Sequence, residues 1–304
     1  MKQLLALALA LTFLSGPVLA DTPNKPYEEM TIAELQAVDT KPLSRDEKKH
    51  LKSVLKAKKK AEKARLREEK KRAKAEAKRL KKARREASKQ LSYIQAVYKK
   101  SGIFRDPGNS RLRIRGADAS ISSAEAILAL SSNGGHVGYF IRTYYDPVSG
   151  TLSPQIYLTV KFSDTVDQDQ LDARNATAEA YANRRGWWKN YRWATLGGAG
   201  RNLTLVDRYS NNAPYYPSFF EEYVIRLAFE DITAAVKAGS TLRVDVRSAS
   251  RGAGAFTVAV PYDYLLGYLM RLSEADMRLA YLKDWAGPRV TALKATLDTN
   301  PPGR

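Results

Sequence analysis

Between Leu43 and Ser101 the chain contains neither glycine nor proline, and Ala, Lys, Arg, Glu and Leu dominate. Those residue types lose little in a helix, and nothing in the run removes a backbone donor or frees the backbone. Ser44-Arg45-Asp46-Glu47 has capping-box spacing, with acids where the helix dipole favours them. Ser101-Gly102 supplies a stop. The pattern predicts one helix over residues 44–100, roughly 80 Å long at ~1.5 Å per residue. A short helix over Ile32–Val38, opened by a second box at Thr31-Ile32-Ala33-Glu34, is expected in the lead-in segment 21–43.

The same run holds most of the charge. Arg45–Lys100 carries 24 basic and 7 acidic residues, against 51 and 32 in the whole chain of 304. The remainder is nearly neutral.

What the helix faces is legible in part. Leu66, Ala73, Leu80, Ala87 and Ile94 recur every seven residues, but the companion row Lys70, Ala77, Arg84, Leu91 and Tyr98 is largely basic in its N-terminal half. A coiled-coil seam is therefore expected only over Leu80–Tyr98, with Tyr93, Ile94 and Val97 docking on the following domain. From Lys56 to Arg85 the helix is polar all round. Glu68 and Arg72 form a favourable i,i+4 pair, but acids are too few to balance the bases. Two readings fit: a solvated spacer, or an arm that binds a polyanion. For the second, Lys58, Lys59, Lys60, Lys70, Lys71, Arg72, Lys78, Arg79, Lys81, Lys82, Arg84 and Arg85 are the candidate contact residues. Its partner would be an anionic envelope surface, through phospholipid or lipopolysaccharide phosphates, or an acidic protein helix. Residues 45–100 resemble in composition the long periplasmic helix of TolA-type envelope proteins.

Residues 1–20 read as a cleavable secretory signal: Lys2, an apolar run Leu4–Leu14, then Gly16-Pro17 and Val18-Leu19-Ala20. The run is shorter than the ~20 residues a membrane span needs, and no later span is expected in the mature chain. The expected compartment is the periplasm, which makes nucleic acid an improbable partner despite a formal charge of +19. The chain has no cysteine and two histidines. That excludes disulfides, thiolate metal sites and a cysteine nucleophile, and no cofactor or metal is expected.

From about residue 103 the hydrophobic period changes to two. Strands are expected at 139–145, 155–162, 188–196, 202–209, 222–229, 241–248 and 255–260, with another at 111–115. Gly197–Arg201 is read as the turn joining 188–196 to 202–209. Asp231 is read as the cap of a short helix ending at Gly239, Tyr262–Leu272 is apolar at helical spacing, and helix is expected over Glu274–Lys283. A short helix is expected within 164–186. The fold class is α+β: a long basic helix, then an antiparallel sandwich-like β domain over 103–272, then a C-terminal helix and tail over 273–304. The pattern Val260-Pro261-x-x-Tyr264-Leu265-x-Gly267-Tyr268-Leu269 resembles the ends of small exported bacterial envelope domains of unassigned activity. That resemblance implies a fold and a compartment, not a reaction.

Catalytic motifs are scarce. Ser53-x-x-Lys56 matches a nucleophile spacing but lies in the basic helix, and Gly198-x-Gly200 leads into a strand rather than a helix. Asp164, Asp167, Asp169 and Asp172 lack EF-hand spacing. Adjacent Glu221 and Glu222 should point to opposite sheet faces. Alternation places Trp187, Tyr191 and Trp193 on one face and Trp188 with Arg192 on the other. Trp188, Arg192, Tyr215 and Tyr216 form a candidate aromatic surface. The leading expectation is a non-enzymatic binding or scaffold protein. The alternative is a carbohydrate- or peptide-active enzyme with two carboxylates beside Trp188 or Tyr215.

Overall fold

The computed structural model describes residues 25–105, 108, 110–121, 135–163, 177–185, 188–211, 217–249 and 254–299. Its contacts divide the chain into two units, Met1–Arg79 and Leu80–Arg304.

In the first unit, helix α1 (Ile32–Ala37) is capped by Thr31. The Thr31 hydroxyl accepts from the Glu34 amide at 3.2 Å, and Glu34 returns to the Thr31 amide at 2.6 Å. Val38, expected as its last residue, is the C-cap. Helix α2 (Arg45–Lys100) is one unbroken helix of 56 residues. Its box is also formed: Ser44 Oγ accepts from the Glu47 amide at 3.3 Å and Glu47 accepts from the Ser44 amide at 2.7 Å. Leu35 and Leu51 are the buried side chains among the described residues of this unit. Glu28 pairs with His50 at 2.9 Å, and the Lys58 ammonium donates to the Met30 carbonyl. The lead-in segment thus lies along the first turns of α2. From Lys59 to Arg79 every residue is exposed.

In the second unit the described strands are β1 (Gly102–Arg105), β2 (Leu112–Arg115), β3 (Ala119–Ile121), β4 (His136–Tyr145), β5 (Leu152–Ser163), β6 (Tyr191–Leu196), β7 (Ala199–Arg201), β8 (Leu203–Ser210), β9 (Ser218–Arg226), β10 (Leu242–Ser248) and β11 (Phe256–Val260). Helices α3 (Ala178–Arg185), α4 (Phe229–Lys237), α5 (Tyr262–Leu272) and α6 (Leu282–Asp298) lie between or after them. The larger sheet runs β1-β2-β4-β5-β9-β8 with β3 beside β4, and the smaller runs β11-β10-β6-β7. All described pairings are antiparallel.

Strict alternation along β4 and β5 sends Val137, Tyr139, Ile141, Ile156, Leu158 and Val160 inward. That inner face is shared. The smaller sheet covers part of it, with Tyr191 edge-on to Tyr223 at 5.7 Å. Helix α5 covers the rest. The Tyr264 hydroxyl donates to the Ala117 carbonyl at 2.6 Å and accepts from the Ile141 amide at 3.3 Å. The Tyr268 hydroxyl lies 2.7 Å from Thr143 Oγ1.

Three expectations change. Gly197 and Gly198 both have positive φ, 57° and 83°, giving the two-residue turn that matches strand twist. The turn pairs β6 with the three-residue β7. The chain then changes sheets at Asn202, so β8 joins β9 instead of pairing with β6. The helix expected at Glu274–Lys283 is a 3₁₀ turn, Met277–Leu279, followed by α6, which runs through Pro288. Burial of Leu282, Ala286 and Leu293 holds α6 across that breaker. The seam over Leu80–Tyr98 is filled by this unit's own core, since Ala87, Ile94 and Val97 are buried in it and Leu91 packs against it.

Candidate binding surfaces

The candidate cations of α2 fall into two settings. Lys59, Lys60, Lys70, Lys71, Arg72, Lys78 and Arg79 are exposed. Over Lys59–Arg79 there are 11 basic and 4 acidic residues, and Arg72 to Glu68, 2.6 Å, is a close ion pair there. Most of the positive charge therefore faces solvent. In the second unit Lys81, Lys82 and Arg85 are exposed too. Besides Arg72, two further candidates are already engaged. Lys58 holds the Met30 carbonyl, and Arg84, half-buried, donates to the Thr299 carbonyl. They are structural contacts, a role the sequence does not separate from its neighbours.

The aromatic candidates do not form a surface together. Trp188 is 3% exposed and lies edge-on against both Phe162 at 6.1 Å and Phe219 at 5.7 Å, which stack on each other, with its indole N–H on Asn183 Oδ1 at 2.6 Å. Arg192 is exposed. Tyr215 and Tyr216 lie outside the described residues, as do Trp187 and the four aspartates 164–172. The alternation expected for Tyr191 and Trp193 breaks: Tyr191 is 3% exposed and Trp193 54%. A bulge explains it, because Trp193 opposes Arg247 while Tyr191 opposes the next residue, Ser248. Arg192 is the extra residue, and one extra residue flips the faces of those beyond it.

Glu221 and Glu222 do face opposite ways. Glu221 is fully buried on the inner side, 3.2 Å from Arg208, and accepts from the Asn190 amide at 3.2 Å. Burial raises its pKa above the ordinary carboxylate range, and the Asn190 amide and Arg208 oppose that shift only in part. Glu222 accepts from the Tyr157 and Tyr209 hydroxyls on the outer side. Glu221 and Glu222 therefore do not converge as a pair of carboxylates beside Trp188, and Tyr215, the other aromatic of the enzymatic reading, lies outside the described residues.

The outer face of the larger sheet carries an arginine–aromatic ladder absent from the expectations above. The Arg115 guanidinium lies over Phe140 at 3.9 Å, Phe140 stacks on Tyr157 at 5.0 Å, and Arg142 reaches Tyr144 and Tyr157 at 5.1 Å each. Register makes this stack, since Phe140 opposes Tyr157 and Arg115 opposes Arg142. Period-two spacing shows each strand's outer residues, but pairing across strands is not visible without the register.

A cleft of about 830 Å³ opens where β3 and β11 approach each other. Its apolar side includes Tyr93, Ile121, Tyr139 and Phe256, and its polar side includes Arg243, Asp245, Arg247 and Thr257. Asp245 accepts the Thr257 hydroxyl at 2.6 Å, and Asp118 at the rim is held by Arg115 at 2.5 Å. No cluster of three metal-ligating side chains occurs among the described residues. No described helix is long and apolar enough to cross a membrane.

The chain matches no protein family, no curated protein and no solved structure.

Proposed function

We propose that this chain is an exported, periplasmic, non-enzymatic binding protein whose basic helix engages the phosphates of an anionic envelope surface. The observation that carries this reading is the stretch Lys59–Arg79: exposed on every side and nearly three bases to each acid. A helix with no buried face gains nothing from packing, and its like charges repel across each turn. A dense row of phosphates removes that repulsion and gains from releasing counterions. The signal-like residues 1–20 support the compartment.

The test is co-sedimentation of the mature chain with vesicles of phosphatidylglycerol and phosphatidylethanolamine, against purely zwitterionic vesicles. Binding to the anionic vesicles is expected to fall at least tenfold between about 50 and 200 mM salt. Replacing Lys70, Lys71, Arg72, Lys78 and Arg79 by Gln is expected to abolish it. Equal affinity at both salt concentrations, or equal binding to zwitterionic vesicles, overturns the reading.

A further inference from the structure

The β3–β11 cleft is bordered by two strand edges, each with one side unpaired among the described residues. Among the described residues β11 pairs only with β10, and β3 only with β4. The direction of the free groups on β11 follows from one hydrogen bond. The Tyr139 hydroxyl donates to the Ala259 carbonyl at 3.2 Å, so that carbonyl points away from β10. In an antiparallel pair the N–H and C=O of one residue point to the same side, and the side repeats every second residue. The amides of Ala259 and Thr257 therefore face the cleft, and both residues line it, as does Ala255 just before the strand. A free edge of this kind is a template for another strand.

We infer that the cleft is a strand-addition site for an extended peptide that alternates apolar and acidic side chains. Backbone bonds to the Thr257 and Ala259 edge would supply affinity, and the walls would supply selection. Successive side chains of an added strand point to opposite sides. One set meets Tyr93, Ile121 and Phe256; the other meets Arg243 and Arg247. Charge decides what that second set is. Arg115 neutralises Asp118, while the neutral Thr257 hydroxyl leaves Asp245 charged; Arg243 and Arg247, which form no ion pair among the described residues, outnumber it two to one. The uncompensated charge on the polar wall is positive, so it selects carboxylates. This site is independent of the exposed basic stretch Lys59–Arg79.

The test uses the mature full-length chain and three end-capped heptapeptides. One alternates Val and Glu, one alternates Val and Lys, and the third is the Val/Glu peptide N-methylated at alternate amides along its bonding edge. Amide NMR shifts at Ala255, Thr257 and Ala259 are expected with the first. The second is expected to bind at least tenfold more weakly, and the third not to bind. The exposed double variant R243E/R247E is expected to reverse the preference between the Glu and Lys peptides while keeping the folded spectrum. No binding of the Val/Glu peptide, undiminished binding of its N-methylated form, or shifts confined to Lys59–Arg79 overturn the site. Shifts confined to Lys59–Arg79 would leave the vesicle reading intact.

Discussion

Gly267 occupies a place with no room for a methyl group. A Cβ there would lie 2.5 Å from the Ile94 carbonyl oxygen and 2.9 Å from Val97 Cβ, both on α2. Backbone and a β-branched carbon cannot yield as a flexible side-chain tip can. Gly267→Ala is therefore expected to destabilise the second unit by about 1–3 kcal/mol, despite the better helix propensity of Ala. A lowered urea midpoint with an unchanged slope would bear this out. Glu221 raises a different question, that of protons. Its folded pKa lies above the ordinary 4.5 because burial disfavours the charge. Below that value folded and unfolded chains both hold the proton, and the stabilising contribution is complete. As pH rises through the folded pKa the contribution is lost. The urea midpoint of Glu221→Gln is therefore expected to gain on the wild type as pH rises above the ordinary 4.5. Parallel curves would show that Arg208 and the Asn190 amide offset the burial fully. The motif Tyr264-x-x-Gly267-Tyr268 is legible as a packing pattern, and each of its residues has a packing partner. The sequence does not say what those partners are.

At the scale of elements, helix α4 is fixed at its start by one side chain. Asp231 accepts from the Ala228 amide at 2.9 Å, at the third position of the helix rather than as its cap. Its two oxygens also take a fork from Arg201 on β7, at 2.6 and 3.1 Å. The pair is mostly shielded, so solvent screens it little. Asp231→Asn is expected to cost about 1–3 kcal/mol by leaving a guanidinium poorly matched, and hydrogen exchange should accelerate first in α4 and β7. Local signals read well at this scale. Both capping boxes are formed, the breaker-free run is one helix, and alternation marks β4, β5 and β10. Signals that depend on a second element read poorly. Pro288 looks like a stop until the packing of α6 is known, and the two-glycine turn hides a change of sheet. One bulge at Arg192 turns Trp193 away from Tyr191.

For the whole molecule, the charge asymmetry in the sequence foretells where solvent-facing cations concentrate, because an uninterrupted polar run has few ways to bury itself. The strand-addition cleft was not foretold. Its lining comes from α2, β3, β4, β10 and β11, which are distant in sequence and meet only in the folded unit. The arginine–aromatic ladder escaped for the same reason. Residues that act alone, or with neighbours one turn away, are visible in a sequence. Residues that act through register are not.

The nakedness of Lys59–Arg79 has a further consequence. Backbone bonds and the Glu68–Arg72 pair keep that stretch helical, and such a segment is in a shallow helix–coil balance that heat and ionic atmosphere shift directly. The sheets answer to those same agents only when their core gives way. One polypeptide thus combines a part held by a buried core and a part held only by bonds along its own helix.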